Sequence, residues 1–171
     1  SRFAQKMGYH GYREFVYLYE SSLAENEKPA GSLLPSNEVF SVYGTILSRT
    51  AASVDAKQLK RINGLLCKAG QIFVYGLGSS GLAAMEFELR MLKIGFDIKA
   101  ITDYHQMVLN ETRLKKSSLV IGITLSAQTT EIRDSLLFAA SKKAKTLCIT
   151  AGHEIDWFSQ IDEVLPVSSI K

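Results

Sequence analysis

The sequence predicts an α/β fold, a doubly wound five-stranded parallel sheet with an N-terminal helical lead-in. Three observations predict it. From residue 71 onward, short apolar runs alternate with segments whose apolar residues recur at helical spacing. Two runs, Ile72-Phe73-Val74-Tyr75 and Leu119-Val120-Ile121-Gly122-Ile123, are apolar at consecutive positions, which means burial on both faces. Glycine- and hydroxyl-rich turns join these strands to the helices that follow, and the strict β-α alternation gives a doubly wound fold with right-handed crossovers.

The elements follow in order. Residues 1–7 and 11–22 read as short helical pieces separated by Gly8-Tyr9-His10-Gly11, with Tyr12, Phe15 and Tyr19 on one side of the second. Residues 24–37 read as a linker, because Pro29, Pro35 and Gly31 break any helix. Val39, Val42, Tyr43, Ile46, Leu47 and Val54 then form a helical stripe over 37–54. In the next helix, over 55–69, Asp55 suits the N-cap and Gln58 the matching capping-box position. Leu59, Ile62, Leu65 and Leu66 form its buried face, and Gly70 ends it. These two helices either form an interface between copies or cover the sheet. Strands are predicted over 71–75, 97–101, 118–124, 145–150 and 163–167. Helices are predicted over 80–93, 104–114, 129–143 and, briefly, 155–160.

With 46% hydrophobic and 22% charged residues, the 171-residue chain has ample apolar material for one packed core, which excludes a disordered or disulfide-scaffold protein. No apolar run reaches the roughly 20 residues of a membrane span, and Ser1–Lys6 does not read as a signal peptide. Cys67 and Cys148 both lie in apolar stretches and read as buried thiols, so a cytoplasmic protein with no membrane partner is expected. The net charge of +3 is unevenly spread. Residues 71–171 are balanced, whereas 37–70 hold Arg49, Lys57, Lys60, Arg61 and Lys68 against Glu38 and Asp55. Arg2, Lys6 and Arg13 open the chain with no acid among them, and Glu14, Glu20, Glu25 and Glu27 offset them later.

Ligands of such sheets bind beyond the C-terminal strand ends, where strand order reverses. Two loops fall at that edge. One is Gly76-Leu77-Gly78-Ser79-Ser80-Gly81; the other is Thr124-Leu125-Ser126-Ala127-Gln128-Thr129-Thr130-Glu131. Each sets backbone N–H groups and hydroxyls at a helix N-terminus, where orphan donors and the helix dipole favour an anion. Neither loop contains Lys or Arg, so a phosphate would be held by uncharged donors. The first loop also spells G-x-G-x-x-G. A dinucleotide site wants an acid at the end of the next strand, about 20 residues on. Asp97 has the distance but precedes the strand, and Asp103 lies at its end but further away. No Gly-Lys-Ser/Thr follows the glycines, which excludes a P-loop. A Ser or Thr at such a turn can equally be only a helix cap.

The paired loops resemble the sugar isomerase (SIS) phosphosugar-binding domain, a flavodoxin-like fold, over about residues 36–171. That family's Gly-x-Gly-x-Ser loop is Gly76-Leu77-Gly78-Ser79-Ser80 here, and its Ser-x-Ser-Gly-x-Thr-x-Glu loop is Thr124-Leu125-Ser126-Ala127-Gln128-Thr129-Thr130-Glu131. Thr124 replaces a serine and Ala127 replaces the glycine, tightening the loop or narrowing the ligand's approach. The resemblance implies that Ser80, Thr124, Ser126 and Thr129 hold the phosphate. Gly78, Ser79 and the backbone of Gln128 would assist, with Glu131 and His153 at the margin. Residues 1–15 resemble the end of the helix-turn-helix domain of RpiR-type transcription regulators, which implies three segments. These are a DNA-binding remnant over 1–23, a linker over 24–36 and the SIS domain over 37–171. Arg2, Lys6 and Arg13 would contact DNA. A homodimer or homotetramer is also implied.

Sugar-phosphate isomerisation would need a positioned base and an acid. Glu86, Glu88, Glu131, His105 and His153 are the candidates beside the loops, and His10 lies far off in the N-terminal turn. Glu86 and Glu88 share a helix and cannot both face the ligand, and no spacing forces a catalytic pair. No metal-ligand spacing is present and no cofactor is expected. The expected function is therefore phosphosugar sensing, with ligand binding modulating DNA binding. A free-standing aldose-ketose isomerase and a dinucleotide-binding enzyme are the alternatives.

Overall fold

The computed structural model describes residues 35–153 and 155–169. The chain divides into two compact units, 1–39 and 40–171. The helical pieces expected over 1–22, most of the linker, and the residues Arg2, Lys6, His10 and Arg13 lie outside the described residues.

Helices α1 (Pro35–Ser53) and α2 (Ala56–Lys68) precede strand β1 (Gln71–Gly76). Then come α3 (Ser79–Lys93), β2 (Ile98–Ile101), α4 (Tyr104–Asn110) and a 3₁₀ turn at Glu111–Arg113. Next are β3 (Ser118–Ile123), α5 (Thr130–Ser141), β4 (Lys145–Thr150), a 3₁₀ turn at Asp156–Gln160 and β5 (Glu163–Pro166). All strands pair in parallel, in the order β2-β1-β3-β4-β5. Strand order reverses between β1 and β3, the switch point of a 2-1-3-4-5 sheet.

Alternate side chains of the buried strands feed two cores. Ile72, Val74, Leu119, Ile121 and Leu147 meet Ile62 of α2 and Ala84 of α3 on one face. Phe73, Tyr75, Val120 and Cys148 meet Met107 of α4, then Ile132, Leu136 and Ala139 of α5, and Trp157 on the other. Packing on both faces is why these strands lack polar alternation.

Several elements differ from expectation. Pro35 begins α1 instead of breaking it, because the first turn of a helix needs no N–H partner. The segment 104–114 is an α-helix only to Asn110 and then tightens into a 3₁₀ turn, a common helix ending. Asp55 caps α2 as expected, accepting the N–H groups of Lys57 (3.1 Å) and Gln58 (3.2 Å). Gln58 does not close a capping box. Its amide donates to the Val164 carbonyl (2.8 Å) and to Glu163 (3.3 Å), tying α2 to β5. Arg61 on the same helix pairs with Glu163.

Cys148 is buried, and burial pushes its thiol up to about 12. Cys67 is exposed, contrary to expectation. Helix α2 turns Ile62, Leu65 and Leu66 to the sheet, which leaves Cys67 on its open side; Leu59, expected on the buried face, is exposed as well. The stripe on α1 does not cover the sheet: Tyr43 is 60% exposed and Leu47 69%. A second open apolar row, Leu82, Met85, Leu89 and Leu92, runs along α3. No described helix is long and apolar enough to cross a membrane.

Candidate ligand site at the switch point

The two loops meet where the sheet reverses. Gly76 pairs with Ile123 at the ends of β1 and β3, so Leu77 and Thr124 leave neighbouring strands side by side. From there the chain turns to α3 on one face and α5 on the other. Both helices therefore start at the same cleft.

Glycines shape the first loop. A Cβ on Gly76 would collide with the Ser80 carbonyl, and one on Gly81 would lie 2.9 Å from the Gly76 carbonyl. Only residues without side chains let the strand end and the first helical turn approach so closely. Gly78 is the N-cap of α3 at φ 57°, ψ −126°, a conformation that excludes side chains. It makes no side-chain cap bond. Ser79 and Ser80 are the first two helical residues, Ser79 exposed and Ser80 half-buried. Neither serves as the N-cap.

Hydrogen bonds shape the second loop. The hydroxyls of Thr124 and Thr129 lie 3.2 Å apart. The Ser126 hydroxyl accepts the Gln128 N–H at 3.3 Å. The Leu125 carbonyl accepts both the Ala151 N–H (3.0 Å) and the Thr150 hydroxyl (3.2 Å), fixing the loop to the exit of β4. Thr129 is the N-cap of α5, again without a side-chain cap bond. Ala127 holds φ 57° and is buried. An L-residue there carries strain of about 1 kcal/mol, and its methyl packs into the core under α5.

The expected residues thus divide. Gly78, Ser79, Ser126 and Gln128 are exposed, and Ser80 and Thr129 are half-buried. Thr124 is buried with its hydroxyl turned to Thr129. Glu131 accepts from the neighbouring Thr130 hydroxyl (3.1 Å). Glu86 pairs with Arg90 at 2.7 Å, and Glu88 lies 3.5 Å from Lys99. Asp103 caps α4, accepting the Gln106 N–H at 3.0 Å, so the fingerprint's acid is engaged in capping. His105 is exposed at the start of α4 beside Tyr104. His153 is exposed after β4 and lines a cavity with Arg49, Ala151, Val167, Ser168 and Ser169. Arg49, Ser168 and Ser169 were not among the residues expected from sequence. Among the described residues, no group of three His, Cys, Asp or Glu side chains could hold a metal ion.

What results is an α/β domain with two donor-rich loops, neither holding a Lys or Arg, at its switch point, able to hold an anion between two helix N-termini. The chain belongs to the SIS domain family, whose model matches residues 65–165 and so includes both loops. A Haemophilus influenzae protein named an uncharacterized HTH-type transcriptional regulator is 27% identical over 161 residues, covering 87% of this chain and 56% of its own length. The HTH-type transcriptional regulator RpiR of Escherichia coli K12 is 23% identical over 155 residues, covering 86% of this chain and 52% of its own. This chain therefore spans about half the length of these relatives. Among solved structures, the Vibrio vulnificus NanR protein complexed with ManNAc-6P shares the fold at TM-score 0.76 and 21% identity, covering 98% of this chain and 61% of that one.

Proposed function

We propose that this SIS domain is the phosphosugar-sensing part of a bacterial RpiR-type transcriptional regulator. Binding between the two loops would change how an attached helix-turn-helix domain, ending near residue 23, engages DNA through Arg2, Lys6 and Arg13. The observation that carries the reading is that both helix N-caps lack a side-chain cap bond. First-turn N–H groups, with the hydroxyls of Ser79, Ser80, Ser126 and Thr129 beside them, are then the natural partners of a phosphate. Hydrogen bonds to a charged group contribute about 1.5–3 kcal/mol each, so a few such bonds give useful affinity without a lysine. The relatives' names support regulation as the output.

Sensing is favoured over isomerisation by the state of the carboxylates. Glu86, Glu88 and Glu131 are each engaged by a neighbour, whereas a general base must reach a substrate proton. The open apolar rows of α1 and α3 support a homo-oligomer, and the site calls for a cytoplasmic sugar phosphate. The test is calorimetric titration of sugar phosphates into the wild-type chain and the Ser80→Ala/Ser126→Ala double variant. Binding should be lost in the variant with the thermal midpoint retained. Unchanged affinity, or turnover of any sugar phosphate at enzyme-like rates, sinks the reading.

A further inference from the structure

The two loops do not account for the cavity that His153 lines. It measures about 280 Å³ and lies at the C-terminal edge of the sheet, walled by residues following β4 and β5 and by Arg49 of α1. A second cavity, lined by Lys143, Lys145, Gln160 and Asp162 among others, lies at the opposite strand ends, away from the loops. The edge cavity is built on fixed elements. The Thr50 hydroxyl accepts the Ser168 N–H at 3.0 Å, which pins α1 beside the exit of β5 and places Arg49 there. Ala151 bonds to Leu125, and Gly152 sits so close to Ser126 that a Cβ would lie 2.6 Å from its carbonyl oxygen. The cavity therefore shares a wall with the second loop.

Among the described residues its lining offers a guanidinium, an imidazole and two hydroxyls, and no carboxylate. Arg61, Arg90 and Arg133 each pair with a carboxylate, and Arg113 lies over the Phe73 ring. Arg49 is the one arginine among the described residues with no such partner. An arginine fork free to line such a cavity suits a planar, two-oxygen anion.

We propose that this cavity is a subsite for a carboxylate on the phosphorylated ligand, so that the molecule sensed is a phosphorylated sugar acid. The inference rests on the phosphate reading of the two loops. From β3, where the second loop begins, to β5 is two strand spacings, or about 10 Å. An extended five- or six-carbon chain separates a terminal phosphate from a terminal carboxylate by a comparable length. Arg49 grips the carboxylate, while His153 and Ser168 donate to it or to an adjacent hydroxyl.

The experiment titrates matched pairs, each an aldose phosphate and its phosphorylated aldonic acid, in the four-, five- and six-carbon series. The sugar bisphosphate of each series is a third arm. Wild type, Arg49→Gln and Ser80→Ala/Ser126→Ala are compared, with thermal midpoints as the folding control. In one series the acid should bind at least tenfold more tightly than the aldose phosphate. Arg49→Gln should shrink that preference below twofold, weakening the acid far more than the aldose phosphate. Equal affinities within every pair, a preference that survives Arg49→Gln, or tighter binding of the bisphosphate overturns the carboxylate subsite and leaves the phosphate reading standing. If no member of any pair binds, or if the double serine variant binds both members as wild type does, the phosphate reading falls and the subsite with it.

Discussion

The loops after β1 and β3 serve one cleft but are built in opposite ways. The first takes its shape from absent side chains: Gly76 and Gly81 permit contact closer than any Cβ allows, and Gly78 supplies a positive φ. The second takes its shape from present ones: the Thr124–Thr129 and Ser126–Gln128 contacts, and the hold of Thr150 and Ala151 on Leu125. It even places an alanine where a glycine would be unstrained. A loop defined by missing atoms tolerates no addition. A loop defined by hydrogen bonds tolerates single losses and yields by degrees.

Substitutions can break that contrast, and the first loop should break hardest. Gly76→Ala drives a methyl into the backbone of Ser80 and Gly81, neither of which can swing aside. A loss of about 3 kcal/mol is expected, at the upper end of overpacking costs, read as a fall in the urea midpoint at unchanged slope. Gly152→Ala presses on the second loop from outside, at the Ser126 carbonyl. It should cost about 2 kcal/mol and weaken phosphosugar binding in the same titration. Thr124→Val keeps the shape and removes one hydroxyl from the pair with Thr129. Its cost should be about 1 kcal/mol, and a value matching Gly76→Ala would refute the contrast.

Ala127→Gly sharpens the comparison from the other side. It relieves about 1 kcal/mol of left-handed strain. It also removes a buried methyl worth about 0.8 kcal/mol and adds roughly 0.5 kcal/mol of unfolded-chain freedom. The net effect should lie within about 0.5 kcal/mol of zero, and a large gain would show that strain dominates this loop.

The smallest effect concerns the far end of the sheet. Burial pushes the Asp162 carboxyl up, but hydrogen bonds from Lys145 (2.6 Å) and from the Thr146 N–H (2.9 Å) and hydroxyl (3.0 Å) outweigh it and hold it below its usual value. The Arg61 hydrogen bond holds Glu163 down as well. A depressed carboxyl stabilises the fold above its unfolded value of about 4, and that contribution is lost as pH falls through the lower folded value. Exposure of the partners keeps it modest. The urea midpoint should drop between pH 5 and pH 3, and Asp162→Asn should flatten that drop while leaving both loops' ligand binding intact.

Much of this was legible in sequence because it depends on near neighbours. Apolar runs located the strands, Asp55 announced its own cap, and the glycine and hydroxyl spacing marked both loops. Other features depend on contacts between distant residues. Arg49 gains its place through Thr50 and Ser168, which are 118 positions apart. Gln58 suits a capping box by spacing, yet the arrival of β5 diverts its amide. The row Leu82, Met85, Leu89 and Leu92 has the spacing of any buried helix face, and only the packing of α3 through Ala84, Phe87 and Met91 shows that it stays open. Ala127 gives no sign of its positive φ in its own side chain, since alanine, unlike glycine or asparagine, rarely adopts one.

The unequal fates of the two cysteines have a practical side. Cys148 is sealed beneath α5 and disinclined to ionise, while Cys67 stands open on the last turn of α2, 3.7 Å from the Asn63 side-chain oxygen. A maleimide dye or nitroxide should therefore attach at Cys67 alone, without any engineering of the chain. Such a label would report on α2, which Gln58 and Arg61 fasten to β5, the strand whose exit walls the Arg49 cavity. The native sequence thus carries a single-site spectroscopic reporter on the helix fastened to the strand that leads into the pocket.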